Sequence, residues 1–422
     1  MHIEYYMRYP VNAWEIPAKA SAFAEGCLQV RIFHMTNSDL TARLGNAADP
    51  IERLTWHYEN PAAEAMVSAR NGIPVVGITS NTVPWELIRA AGAFPFIINS
   101  GNANHPDIDD FMEEGVFEKR VRAICGAAIS GDLQHLSLLL ISRTSEQEYK
   151  LYLYLREVAR QNPNNRIPPV YLYDMLHTRS AESYSYGLER TLRLKERLEG
   201  LTGTTIDNMA LSQAIEESNS ARRAIRNLLS LRRPEPRVSG TEAIALIGSS
   251  FLINRHAYAL LAEKAVAAVE HRDPLVGKRV LIEGASLNHR CLHMALEKYG
   301  AVVVAEDDWW GSRSAGEDVS DGSSDPMRAI FEKYFLDTPS PRLFPFEIAD
   351  AWFQQASVNG IDGVVFYLPP EDCVAGWDYP RRRRYLDERG IPHLLVREDA
   401  ASLSDECHKR IDEFVRGIGA GR

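Results

Sequence analysis

The chain has 422 residues, 45% of them apolar and 25% charged, the composition of an ordinary globular protein with room for two substantial cores. A net charge of −10 argues against nucleic acid as a main partner. With no long apolar span and no basic-then-apolar leader, the expectation is a cytoplasmic protein that is neither secreted nor inserted in a membrane.

Residues 1–60 are irregular and rich in aromatic side chains, including Tyr5, Tyr6, Tyr9 and Trp14. They read as an N-terminal arm or small helical lead-in that packs on something else, such as another subunit. A helix over 61–72 ends at Gly72, and Ile73 to Ile78 is apolar throughout, as in a strand buried on both faces. Ser80, Asn81 and Thr82 form a polar loop, Pro84 opens a short helix from Trp85 to Ala91, and Phe94 to Ile98 supplies a second strand. A loop at the carboxyl end of a parallel strand is the usual ligand position in an open α/β sheet. Glu86, in the first helical turn, is explained by the helix dipole and also stands where a general acid or base would be placed.

After a polar loop over 99–105, the pattern predicts a helix over 110–130 and a strand from His135 to Ser142. Arg143, Thr144 and Ser145 then precede a helix over 146–160, and Pro169 to Tyr173 is a further strand. This alternation implies a parallel sheet with right-handed crossovers, making 61–177 a first α/β domain. Residues 178–237 read as a helical bridge, with Thr205 as an N-cap and Ile206, Ala210, Ala214, Ile215, Ala221, Ile225 and Leu228 at helical spacing. The prolines and charges from Arg232 to Arg237 mark its end.

A second α/β domain over 238–422 begins with helices near 240–248 and 255–270. Strands follow at Arg279 to Glu283, Ala301 to Ala305, Asp362 to Leu368 and His393 to Val396, with helices at 288–299, 378–389 and 402–418. A Ser/Gly/Asp-rich loop, 311–325, is expected to be mobile or to fold over a ligand. Gly284-Ala285-Ser286 is either a tight turn or a phosphate site at a helix N-terminus, without GxGxxG or P-loop spacing. Glu306, Asp307 and Asp308 suit ribose binding, acid–base work or a solvated turn. Arg381 to Arg384 spread around a helix, as a solvated terminus or a nucleotide-phosphate contact. Cys27, Cys125, Cys291, Cys373 and Cys407 form no CxxC pair, and each alone reads as a small buried apolar side chain.

Several motifs in order carry a family resemblance. VPWELIRAAGAFPF, from Val83 to Phe96, is similar to the V-P-E-E-L-I-x-A-A-G-x-x-P segment of the 2-hydroxyacyl-CoA dehydratase and benzoyl-CoA reductase subunits. Ser239-Gly240-Thr241-Glu242 resembles their S-G-x-E, and Asp307 through Arg313 resembles their D-D-x-x-x-G-S-R. Asp362 to Val365, then Cys373 and Gly390-Ile391-Pro392, is similar to D-G-V-I…C…G-I-P, and Arg410 to Phe414 to the closing R-I-E-A-F.

The resemblance implies two flavodoxin-like parallel-sheet domains joined by the bridge, and pairing with a related, unequal subunit. It further implies a four-iron four-sulfur cluster on cysteine thiolates between the domains and an ATP-dependent activator protein that delivers an electron. The reaction expected is oxygen-sensitive and radical-type, either dehydration of a 2-hydroxyacyl-CoA or ring reduction of an aromatic acyl-CoA. Here two of the three thiolate positions of the family are Ser80 and Ser145, and only Cys373 remains. The favoured reading is a subunit that partners a cysteine-complete, cluster-bearing homologue and contributes walls of the acyl-CoA pocket. An enzyme with unusual cluster ligation and a non-catalytic binding or assembly relative are the alternatives. The expected cleft has Ser80, Glu86 and Ser145 as catalytic residues, Asn81, Thr82, Arg143, Thr144, Asp308 and Arg313 as substrate contacts, and Cys373 as metal ligand. Arg313 suits a thioester-ligand or phosphate contact, or an interdomain salt bridge.

Overall fold

A computed structural model describes residues 49–99, 108–109, 112–176, 178–287, 289–320, 322–337, 346–358, 360–372 and 374–419. The arm up to residue 48, most of the 99–105 loop and Cys373 lie outside the described residues. The first half comprises α1 (Pro50–Glu59), α2 (Ala63–Arg70), β1 (Val75–Ile78), α3 (Trp85–Ala90), β2 (Phe94–Ile97), α4 (Lys119–Ser130), β3 (Leu138–Ser142), α5 (Glu146–Gln161) and β4 (Val170–Tyr173). Two long helices follow, α6 (Ala181–Thr202) and α7 (Asn208–Ser230). Next come α8 (Gly240–Gly248), α9 (Arg255–Val269), β5 (Lys278–Gly284), α10 (Cys291–Lys298), β6 (Ala301–Glu306), α11 (Pro326–Leu336) and α12 (Phe346–Val358). β7 (Gly363–Tyr367), α13 (Tyr379–Asp387), β8 (His393–Val396) and α14 (Asp405–Gly417) complete the described chain.

Both sheets are four-stranded and parallel, in the orders β2-β1-β3-β4 and β6-β5-β7-β8. These are two flavodoxin-like domains with the same winding. In each the strand order reverses between the first and third strands, so a crevice opens at their carboxyl ends. The second sheet shows why period-two strands are buried on both faces. Val280 and Ile282 join one apolar cluster while Leu281 joins the other, and Val365 is likewise separated from Val364 and Phe366. The larger core runs from Leu54 to Phe335 and includes apolar residues of α8, α9 and α11.

Helix α7 is fixed at several points along its length. Arg222 reaches Glu86 on α3, and Asn219 exchanges two hydrogen bonds of 2.9 Å with the backbone of Val319. Just beyond its end Arg232 donates to Glu306 at 2.5 and 2.7 Å and to the Val303 carbonyl at 2.8 Å, at the end of β6.

Helix α1 lies in the stretch read as an arm or small helical lead-in: Asp49 accepts the Ile51 N–H at 3.0 Å and Pro50 fills the first turn. Three expectations change. Asp325 and Pro326 start α11 in the same way, and α11 and α12 fill a region where no element was expected. The N-cap of α7 is Asp207, which accepts from Ala210 at 2.8 Å, in place of Thr205. The 311–325 loop is tied down rather than free, because Arg226 holds the Gly316 carbonyl at 2.8 Å and Asp318 at 2.7 Å while Asn219 holds Val319. Among the described residues no helix is long and apolar enough to cross a membrane.

Candidate functional site in the cleft between the two sheets

The carboxyl ends of the two sheets face a shared cavity of about 250 Å³. Glu118, Lys119, Arg120, Thr144 and Ser145 line it from the first domain. Gly284, Ala285, Ser286, His289, Trp309, Trp310, Tyr367, Glu371, Asp372 and Asp399 line it from the second. Gly284 is required where it stands. Its φ is +128°, and a Cβ there would lie 2.2 Å from the Tyr367 carbonyl oxygen on the neighbouring strand.

On the first-domain wall, Ser145 caps α5 by accepting the Glu148 N–H at 3.2 Å. The N–H of Thr144 donates to the Glu148 carboxylate at 3.1 Å, and its hydroxyl donates there too. Glu148 is buried and holds Arg120 at 3.0 Å, while Arg120 also donates to the Thr79 carbonyl at 2.7 Å. Burial opposes the charge on Arg120, but Glu148 and Glu118 more than offset it and hold the guanidinium above its ordinary pKa. The start of α4 is thereby fixed to the end of β1 and the first turn of α5.

Ser80 and Thr82 lie behind this wall. Ser80 Oγ is 2.8 Å from Thr82 Oγ1 and 2.6 Å from Ser142 Oγ, and Ser142 is 3.2 Å from Thr79 Oγ1, a buried cluster of hydroxyls. Asn81 spans the domains, donating to the Ser314 carbonyl at 3.1 Å and accepting from Trp85 Nε1 at 3.2 Å.

Glu86 is placed away from the cavity. It is fully buried, ion-paired to Arg222 at 2.6 Å and hydrogen-bonded by the Tyr334 hydroxyl at 3.0 Å. Burial alone would raise its pKa, and the Arg222 charge and hydrogen bond overcome that and lower it. Arg143 also stands outside, half-exposed against Glu146 at 3.2 Å and Asp174 at 3.6 Å. Arg313 pairs with Asp307, so its ionic partner lies within its own domain. Asp308 is buried behind the tryptophans, where its two oxygens accept the N–H groups of Leu287 at 2.5 Å and Trp310 at 3.0 Å. Burial pushes its carboxyl up to about 6.

The neighbouring acids and arginines have structural partners. Glu306 is buried between Arg232 and His293, the latter at 3.0 Å. Of the four consecutive arginines, Arg382 is buried and pairs with Glu283. Among the described cysteines, burial pushes the thiol of Cys125 up to about 12 and raises those of Cys291 and Cys407.

Of the residues expected in the cleft, Thr144 and Ser145 line the cavity, and so does the Gly284 turn, which was read as a tight turn or a phosphate site. Sequence reasoning missed Lys119, Arg120, His289, Trp309, Trp310, Tyr367 and Asp399. Trp309 and Trp310 were within reach, as they directly follow the acids at the end of β6; His289 and Asp399 carry no local signal. His289 Nδ1 is buried with no hydrogen-bond partner among the described residues, and burial lowers the ring's pKa.

Residues 80–418 match the profile of the 2-hydroxyglutaryl-CoA dehydratase D-component. The chain belongs to that family. Within the D-component family, it is 22% identical over 356 residues to the (R)-phenyllactyl-CoA dehydratase beta subunit of Clostridium sporogenes, covering 81% of this chain and 91% of that one. It is likewise 22% identical over 349 residues to the (R)-2-hydroxyglutaryl-CoA dehydratase subunit beta of Acidaminococcus fermentans, covering 78% and 88%. The lactoyl-CoA dehydratase subunit beta of Anaerotignum propionicum is 22% identical over 258 residues, 58% of this chain and 68% of its own. The D-component match begins at Ser80, so it takes in both sheets' carboxyl ends except the last residues of β1.

Proposed function

We propose that this chain is the beta-type subunit of a 2-hydroxyacyl-CoA dehydratase, and that the acyl-CoA thioester enters the cavity between its two sheets. The observation that carries the reading is the pairing of two switch-point crevices on one cavity within a chain of this family. The relatives are named as dehydratase subunits, which favours loss of water over ring reduction. Their beta-subunit names support pairing with a homologous subunit. A radical-type, oxygen-sensitive reaction served by an ATP-dependent activator, in the cytoplasm, belongs to the same proposal.

A four-iron cluster on three thiolates does not fit the residues of this chain. Soft anionic sulfur suits such a cluster, whereas Ser80 and Ser145 offer neutral hydroxyls already engaged with Thr82, Ser142 and the Glu148 N–H. The thiols of Cys125, Cys291 and Cys407 are held protonated by burial. The cluster is therefore assigned to the partner subunit, and the role of this chain is to bind and orient. Lys119 and Arg120 stand in the wall as donors held by Asp399 and Glu148, Trp309 and Trp310 bring apolar surface, and His289 offers a neutral ring able to accept or hand on a proton.

The test is to purify the chain alone without oxygen, measure iron and acid-labile sulfide, and titrate it with 2-hydroxyacyl-CoA esters. Thioester binding with far less than one iron per chain is expected. About four irons per chain would overturn the cluster assignment, and absence of thioester binding to the chain or to its complex would overturn the pocket assignment.

A further inference from the structure

A second cavity, of about 280 Å³, lies between α2, α3, β2 and the start of α9. Arg255 lines it and is 7% exposed, with Nε buried and without a hydrogen-bond partner among the described residues. The guanidinium instead stacks over the Trp85 ring, 4.3 Å from its centroid, with the Phe251 ring at 5.6 Å.

Charge counting makes this arrangement unusual. Arg222 and Arg255 are both buried near one carboxylate, Glu86, and Arg222 takes it at 2.6 Å. Among the described residues one buried positive charge is left over. An arginine does not shed its proton to solve this, and an uncompensated buried charge is costly. The other ionic groups of the cavity do not supply the balance. Arg89 and Glu217 neutralise each other at 2.8 Å. Glu64 has its carboxyl raised by burial, with no guanidinium close enough to offset it.

The cavity also sits at a helix start. Arg255 is the first residue of the 15-residue helix α9, whose N-cap Asn254 accepts from His256 at 2.9 Å and Ala257 at 3.1 Å. Ile73, Phe94 and Pro95 give the cavity an apolar side.

We propose that this cavity is a binding site for a small organic carboxylate, whose anionic end meets Arg255 at the start of α9 and whose body lies against Trp85 and Phe94. The apolar wall is what selects an organic acid over a bare inorganic anion. The site is separate from the cleft, and it is linked to it, because Trp85 also donates to Asn81, which spans to Ser314 at 3.1 Å.

The test is calorimetric titration of the full chain with sodium propionate, sodium benzoate and inorganic phosphate. At least one carboxylate should bind, and Arg255→Met should weaken it at least about tenfold, the loss expected for a charge-assisted hydrogen bond. Arg255→Lys keeps the charge without the fork; it should bind more weakly than the wild type while melting at a similar temperature. That variant decides the matter if Arg255→Met does not fold. Saturating carboxylate should raise the melting temperature of the wild type by a few degrees. Three outcomes would overturn the proposal: no binding of either carboxylate, binding unchanged in both variants, or binding of phosphate alone. Carboxylate binding that appears only after Glu64→Gln would also overturn it, since Glu64 would then be the counter-ion of Arg255.

Discussion

Lys119, at the start of α4, and Asp399, just after β8, meet at 2.5 Å with one residue contributed by each domain. Both line the cleft and both are partly exposed, so the pair itself is expected to contribute only about 0.2–1 kcal/mol to stability. Burial would raise the Asp399 pKa, but the Lys119 hydrogen bond and charge bring it below the ordinary value. The sign follows: this contribution is complete above the unfolded carboxylate pKa and is lost as pH falls through the lower folded one. Asp399→Asn should leave the melting temperature within a few degrees of wild type at pH 7. Because the pair ties the two walls of the cleft, its loss should speed release of a bound CoA thioester, measured by stopped-flow displacement; an unchanged off-rate would show that the pair does not restrain the ligand.

Glu86 is expected to matter for folding and not for chemistry. Glu86→Gln or Arg222→Met leaves a buried charge without its partner and should cost about 3–5 kcal/mol, read from urea denaturation. Tyr334→Phe removes one neutral donor to the same carboxylate and should cost about 1–2 kcal/mol. Activity of each variant complex should track its folded fraction. A Glu86→Gln variant with wild-type stability and no turnover would reverse this assignment.

Asp308 gives a pH signature of the opposite sign to Asp399. Its folded pKa, about 6, lies above the unfolded value, so the native state holds a proton that the unfolded chain has lost. Its contribution is complete below pH 4 and declines as pH rises through 6, by about 3 kcal/mol in full. Asparagine can accept one of the two backbone N–H bonds and must turn its own amide against the other. Asp308→Asn should therefore be less stable than wild type at pH 4 and should flatten the decline between pH 4 and 7, as followed by chemical denaturation at each pH.

Ser80 anchors a hydroxyl cluster with Thr82 and Ser142, and its loss takes a partner from both. Ser80→Ala should cost about 1–3 kcal/mol, measured by urea unfolding, with thioester affinity changed less than threefold because Ser80 does not line the cavity. A larger change in affinity would place Ser80 in the binding wall after all.

The strand pattern was legible because buried parallel strands are short apolar runs with polar residues at their ends; β1, β3, β6 and β7 all read this way. Helix starts were legible in principle. Asp49-Pro50 and Asp325-Pro326 are both cap-and-proline signals, but they lie in stretches whose aromatic or Ser/Gly/Asp-rich character suggested irregular chain. The site was harder. Glu86 and Arg313 stand at positions where a strand end offers chemistry, and only the fold reveals that Arg222 and Asp307 had already claimed them. Lys119 and Asp399 are 280 positions apart in sequence, and nothing local announces that they meet.

Helix α7 joins the two domains as a common spine, pinned to α3 through Arg222 and to β6 through Arg232. A cleft whose walls share one beam has little freedom to swing as two halves of a hinge. Little ordering remains for a ligand to impose on arrival, so affinity in this cleft should follow shape and charge match more than the work of closing.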